Sequence, residues 1–194
     1  MTTLYFIRHA TPDRTIGVDA THPLSEKGQR DVALVTDYLQ DKSINTVLSS
    51  PFKRSYDTVA GFAKAAGLPI EVIEDFRERK VSDAKVIGGV IDYTNEEFVA
   101  YAKKCFEDFS YKLPGGECLT EVQARNIAAL EEVLTRYEGK NIVVGTHGTA
   151  LSTIILFYDP SYTFKEWMSM PMPWVAKMTF KGKTFIAIEK VNIE

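Results

Sequence analysis

Short apolar runs alternate with amphipathic, helix-length stretches along most of this 194-residue chain, and that alternation admits few folds. Leu4-Tyr5-Phe6-Ile7 lies in a run, residues 3–8, that reads as a buried strand. Ser25 reads as the N-cap of a helix that runs through Val32, Val35 and Leu39 at spacings of three and four. Residues 46–48 form a second strand. Ser50-Pro51 follows as N-cap and first helical residue, where proline loses nothing by lacking an N–H. That helix continues through Tyr56, Val59 and Ala63 and stops at Gly67, and residues 69–73 form a third strand. Asn95 caps a helix carrying Phe98, Tyr101, Ala102, Cys105 and Phe109 along one face, and Pro114-Gly115-Gly116 breaks it. Thr120 with Gln123 fits a capping box, which opens a helix running to Gly139. Residues 142–145 form a fourth strand and 149–158 a helix ended by Asp159-Pro160. Residues 175–180 and 184–191 are two last strands that turn at Lys181-Gly182-Lys183.

Strands alternating with helices imply an α/β fold, a mostly parallel sheet covered on both faces. No repeat, low-complexity tract or linker interrupts the pattern, so residues 1–194 read as one domain, with a lid-like insert at about 75–115. In such sheets ligands bind at the carboxyl ends of the strands. Arg8, His9, Ser49, Ser50 and His147 all fall at that edge. The chain has three histidines, and two of them, His9 and His147, end apolar strands.

Composition excludes several partners. The net charge of −3, from 23 basic and 26 acidic residues, argues against nucleic acid or an anionic membrane as the main partner. The run Ile154-Ile155-Leu156-Phe157 is far too short to span a bilayer, and Met1-Thr2-Thr3-Leu4 does not open a secretory signal. The two cysteines, Cys105 and Cys118, lack metal-type or redox-type spacing and read as reduced thiols. Together these features place the chain in the cytoplasm. Three scattered histidines without a paired carboxylate motif offer no metal shell. Gly182-Lys183-Thr184 is not a phosphate-binding loop, because Lys177 stands where such a loop needs glycine. Nothing in the sequence sets an oligomeric state.

Arg8, His9, Arg54 and His147, with Glu78 between them, are the residues that carry chemistry. Arg54 lies in the first turns of the second helix, where free N–H groups and a positive partial charge suit an anion. Two arginines can fork onto the oxygens of a phosphoryl group. A neutral imidazole is a nucleophile near neutral pH, attacking through one nitrogen while a hydrogen bond to the other fixes the tautomer. The second imidazole, if protonated, donates to the phosphoryl oxygens. The leaving alkoxide needs a proton, for which Glu78 is the candidate, with Glu74 and Glu117 as competitors. Thr11, Asp13 and Thr149 are candidates for lesser contacts. Arg14, Arg77, Arg79, Lys80 and Lys85 would make the entrance basic, which points to a small anionic phosphate ester such as a sugar or glycerate phosphate.

The motifs Arg8-His9-Ala10, Leu24-Ser25-Glu26-Lys27-Gly28, Ser49-Ser50-Pro51 with Arg54 and Thr58, Phe76-Arg77-Glu78-Arg79, Pro114-Gly115-Gly116-Glu117 and Thr146-His147-Gly148 together resemble the histidine phosphatase superfamily, or phosphoglycerate mutase-like fold, in order and over most of the chain. The resemblance implies a three-layer α/β/α sandwich whose sheet has one antiparallel strand. It implies that His9 is the phosphorylated nucleophile, that Arg8, Arg54 and His147 complete the phosphate pocket with Thr11 and Thr149 adding contacts, and that Glu78 is the acid/base. It also implies that no cofactor is required. The expected activity is that of a metal-independent, histidine acid-type phosphatase acting on a small phosphorylated metabolite. Ala10 stands where the family usually has glycine. Thr11-Pro12-Asp13-Arg14-Thr15 departs from the mutase pattern, which favours hydrolysis. Arg79 matches an arginine that mutases use on the substrate carboxylate, so cofactor-dependent phosphoglycerate mutase activity is the alternative. A non-catalytic module that binds phosphorylated ligands ranks below both.

Overall fold

The computed structural model describes residues 1–82 and 96–193. Lys85 and the capping residue Asn95, both named above, lie outside the described residues, as does the 83–95 part of the lid-like insert. Six strands, β1 (Thr2–Arg8), β2 (Thr46–Ser49), β3 (Ile70–Val72), β4 (Asn141–Thr146), β5 (Trp174–Lys181) and β6 (Thr184–Val191), form one sheet in the order β3-β2-β4-β1-β5-β6. The pairs β1–β4, β2–β4 and β2–β3 are parallel, while β5 runs antiparallel to both β1 and β6. One strand of the sheet therefore opposes the other five, as the resemblance implies.

The helices are α1 (Glu26–Leu39), α2 (Lys53–Ala66), α3 (Glu96–Glu107), α4 (Leu119–Arg136), α5 (Gly148–Tyr158) and α6 (Phe164–Ser169). Successive strand side chains point to opposite faces, and β1 divides its residues accordingly. Leu4 and Phe6 join a core with Leu130, Val133, Leu151, Ile154 and Trp167, from α4, α5 and α6. Tyr5 and Ile7 join a second core with Val35 and Leu39 of α1 and Val59 and Phe62 of α2. These are the outer layers of a three-layer sandwich. Each wholly buried aliphatic side chain contributes about 1.5–3 kcal/mol, so the middle of the sheet is where the fold is anchored. No helix among the described residues is long and apolar enough to cross a membrane.

Local chemistry explains where the observed elements depart from the expected ones. Ser25 caps α1 as anticipated, its hydroxyl accepting from Gly28 N–H at 3.1 Å. Ser50 does not cap α2, which starts at Lys53 with Phe52 at the N-cap position. The Ser50 hydroxyl accepts from Phe52 N–H at 3.2 Å instead and lies 2.7 Å from His147 Nε2. The cap of α4 also shifts: Glu121 accepts from the Cys118 N–H at 2.9 Å, whereas Thr120 donates to the Phe109 carbonyl and Gln123 to the Thr153 carbonyl. The short helix α6 was not expected. It is opened by Thr163 and Glu166, each accepting the other's backbone N–H.

Candidate active site

Strands β1 and β4 are neighbours in parallel register, with Arg8 opposite Thr146. Arg8-His9 and Thr146-His147 therefore leave the sheet side by side at its carboxyl edge. The His9 N–H donates to the Thr146 carbonyl at 3.0 Å, and the two imidazole centroids lie 5.2 Å apart. On the other side of β4, β2 delivers Ser50, whose N–H donates to the Gly145 carbonyl at 2.9 Å.

His9 is 4% exposed. Its Nδ1 lies 2.8 Å from the Ala10 carbonyl. A carbonyl only accepts, so the proton sits on Nδ1 and the lone pair on Nε2. Arg54 Nε–H donates to that Nε2 at 3.2 Å. Burial first, and then the Arg54 and Arg8 charges, hold His9 well below the ordinary histidine range, which keeps it neutral near pH 7. The strand end itself is pinned. Thr58 Oγ1 accepts from the Ala10 N–H at 2.9 Å and donates to the Arg54 carbonyl at 2.6 Å. The Thr11 carbonyl accepts from both Ser25 N–H and Ser25 Oγ–H at 3.0 Å. A Cβ on Gly28 would lie 2.1 Å from that carbonyl oxygen, which is why the start of α1 carries glycine there.

His147 is wholly buried, with Nε2 against Ser50 Oγ and with Nδ1 lacking a hydrogen-bond partner among the described residues. Burial, followed by the charge of Arg54, pushes it toward the neutral form as well. The protein's own charges thus favour a His147 that donates from a single ring N–H over an imidazolium.

Arg54 sits in the first turn of α2 and is 3% exposed. Its guanidinium donates to the Asp19 carbonyl, lies 3.1 Å from the Asp19 carboxylate and covers the Phe52 ring. Arg8 donates to the Met170 and Pro171 carbonyls. Its guanidinium carbon would meet a Cβ on Gly148 at 3.3 Å, so the glycine after His147 lets this arginine lie against the start of α5.

The same helix start receives Glu78. Its carboxylate accepts from Thr149 N–H at 3.1 Å, Ala150 N–H at 3.0 Å and Arg79 N–H at 2.8 Å. A carboxylate at a helix N-terminus takes up free N–H groups and matches the dipole. Glu74 is exposed. Glu117 bonds to Arg77, Arg125 and the Lys80 N–H. Burial raises its carboxyl, but the hydrogen bonds from Arg125 and Lys80 outweigh that and hold it below the usual range. Both competitors are thus accounted for away from His147 and α5. Gly116 belongs to the same clamp, since a Cβ there would lie 2.1 Å from the Val81 carbonyl oxygen.

Thr11 lines the cavity beside Arg8, and Thr149 is buried at the α5 start. Arg79 is buried, donates to Cys105 Sγ at 3.1 Å and stacks over Tyr101. Arg77 is paired with Asp75 and Glu117, so of the expected basic rim Arg77 and Arg79 are engaged within the fold, while Arg14 lines the cavity. Asp13 accepts from Thr15 N–H and Oγ–H. His22, the third histidine, is 3% exposed and donates from Nδ1 to the Ile16 carbonyl. One contributor, Asp19, has no motif to mark it in the sequence. The sequence places Ser50 at the sheet edge, but not its bond to His147. Among the described residues no group of His, Cys, Asp and Glu is arranged to hold a metal ion.

The chain is similar to known proteins in its sequence and its fold. Over 159 residues it is 26% identical to a Bacillus subtilis protein called "Uncharacterized phosphatase PhoE", covering 80% of this chain and 76% of the relative. Over 160 residues it is 28% identical to the "Probable phosphoglycerate mutase GpmB" of Serratia proteamaculans, covering 80% and 74%. The solved structure of Bacillus stearothermophilus YhfR superposes with a TM-score of 0.78 at 25% identity, over 100% of both chains. The model of the histidine phosphatase superfamily (branch 1) matches residues 4–187, and the chain belongs to that superfamily.

Proposed function

We propose that this protein is a phosphomonoester hydrolase that works through a phosphohistidine on His9 Nε2. The observation that carries the reading is the pinned tautomer of His9: Nδ1–H is held by the Ala10 carbonyl, and the lone pair of Nε2 lies beside the Arg54 guanidinium. A buried nitrogen nucleophile next to a phosphate-binding cation needs no further base to attack phosphorus.

In the first step Nε2 bonds to phosphorus and the P–O bond to the leaving alcohol breaks. Arg8, Arg54 and His147 hold the phosphoryl oxygens, with Thr11 and Thr149 beside them. Glu78 supplies the proton that the alkoxide takes up. A carboxylate offers about four lone-pair positions, and three N–H groups occupy three of them, which leaves one position for that proton. In the second step Glu78 takes a proton from water, the oxygen bonds to phosphorus, the N–P bond breaks, and inorganic phosphate leaves. The lowered His9 supports an acid-type enzyme, because its nucleophile stays unprotonated below neutrality. The whole chain acts as one domain in this reading, with α3 as a wall of the site, and its two buried free cysteines suit the cytoplasm.

The test is hydrolysis of p-nitrophenyl phosphate in the presence of a chelator, with quenching in alkaline denaturant to trap phosphoenzyme. Turnover with a transient acid-labile, base-stable phosphoenzyme is expected. Activity that vanishes with chelation, or turnover without that species, would overturn the mechanism.

One observation favours the mutase alternative. Arg79 Nε and the Tyr101 hydroxyl are buried polar atoms without a hydrogen-bond partner among the described residues, a pair that a substrate carboxylate would satisfy. Interconversion of phosphoglycerates after priming with a bisphosphate would establish that reading, and hydrolysis alone would reject it.

A further inference from the structure

A cavity of about 380 Å³ opens beside the phosphate-binding groups. It holds far more room than a phosphoryl group fills. Arg8 is part of its lining, which makes it continuous with the site described above. The opposite wall is Trp167, Met168, Met170 and Met172. We propose that this cavity holds the leaving group, and that the preferred substrates are phosphomonoesters whose alcohol carries an apolar body. The proposal rests on the hydrolase reading and adds the substrate class to it.

The wall is built for apolar contact. Thioethers are weak acceptors and donate nothing, so the methionine wall gives a polyol little to bond, and hydroxyls turned toward it would go unpaired. Unbranched, polarisable methionine side chains adapt to irregular apolar shapes and make favourable contacts with aromatic rings. Trp167 is the rigid part: its ring lies 5.6 Å from both Phe106 and Phe164 and 6.5 Å from Phe98. Met168 is 42% exposed at the rim, a large apolar side chain that α6 holds out toward the opening. The backbone joins wall and phosphate site. The carbonyls of Met170 and Pro171 accept from the Arg8 guanidinium, so the segment that shapes the cavity also orients a phosphate-binding arginine. Arg14, also in the lining, supplies the rival attraction, an anionic leaving group.

The experiment compares kcat/KM for 1-naphthyl against phenyl phosphate, and for octyl against ethyl phosphate, pairs matched in leaving-group chemistry and differing in apolar bulk. Phosphoserine and glycerol phosphate represent charged and hydroxylated bodies. At least about a tenfold gain is expected for the larger member of a pair, carried mainly by KM. The naphthyl arm reports a flat body, the octyl arm a chain. In the double variant Met168→Ser with Met172→Ser, the naphthyl-to-phenyl ratio should fall toward one, with the trapped phosphoenzyme still decaying at the parent rate, because the leaving group has departed by then. Phosphoserine or glycerol phosphate outrunning naphthyl phosphate, or a ratio unchanged in the variant, would overturn the proposal while phosphoenzyme formation still supports the hydrolase. No phosphoenzyme with any substrate would remove the hydrolase reading itself.

Discussion

The two histidine-bearing strand ends look alike in sequence and are built differently. After β1 the chain enters an irregular loop, and His9 is held by its neighbour's carbonyl, with Thr58 and Gly28 fixing the backbone around it. After β4 the chain turns directly into α5, and His147 is held from across the sheet by Ser50. Both rings are buried and pushed toward neutrality, so charge does not distinguish them. Hydrogen bonding does. His9 has a defined tautomer with its Nε2 lone pair accepting from Arg54, whereas His147 has one ring nitrogen without a hydrogen-bond partner among the described residues. An unsatisfied buried polar atom costs about 1–3 kcal/mol, and a polar ligand removes that cost. In the proposed mechanism the first strand end attacks and the second receives.

Substitutions can break this contrast or sharpen it. The largest effect belongs to His9→Ala, for which we expect a loss of at least about 10⁴ in kcat, as for removal of a nucleophile elsewhere, and no trapped phosphoenzyme. Equal losses and equal phosphoenzyme yields in His9→Ala and His147→Ala would erase the distinction. Glu78→Gln should lose about 10³ on alkyl phosphates, within the range of general acid catalysis, and far less on p-nitrophenyl phosphate, whose leaving group departs without a proton. His147→Ala should lose about 10²-fold in kcat, the scale of one oxyanion donor, while still forming the phosphoenzyme slowly. Gly28→Ala tests the loop side alone: the Thr11 carbonyl must move, and a loss of about 3 kcal/mol is expected in denaturant unfolding. The smallest effect is that of pH on stability. A histidine lowered in the folded state takes up its proton more readily when unfolded. Stability is therefore full above about pH 6.5 and falls as pH drops below it, by up to about 1.4 kcal/mol per pH unit for each histidine. Thermal melts from pH 7 to 5 measure that slope, and it should be shallower in His9→Ala.

Much of this was legible because strong local signals agree with the tertiary structure. Val35, Leu39, Val59 and Ala63 face one core as their spacing predicts, Gly67 ends α2 in the left-handed region, and the continuous apolar runs of β1 and β4 are buried on both faces. Arg8, His9 and His147 could be placed because strand ends fix where they emerge. The misplaced caps at Ser50 and Thr120 share one cause: a serine or threonine hydroxyl bonds to whichever partner the fold brings, and His147 or Phe109 is invisible in local sequence. The contact of Arg79 with Cys105 and Tyr101 is likewise set by α3 packing, which a charge count does not see. Asp19 on Arg54 has no local signature at all.

Glu78 lies in a stretch that no helix or strand supports. Arg125 donates to the carbonyls of Asp75, Arg77 and Glu78 and to the Glu117 carboxylate, and the α5 start closes over the acid from the other side. The proposed proton donor is therefore assembled from parts of the chain 47 to 72 residues away, and Arg8-His9 likewise depends on distant parts, with Arg54 45 residues from His9 and Met170 162 residues from Arg8. A transiently opened chain therefore has neither the proposed nucleophile nor the proposed acid in place. In the proposed reaction, competence then arrives only when the long-range contacts that set both strand ends and the start of α5 have all closed.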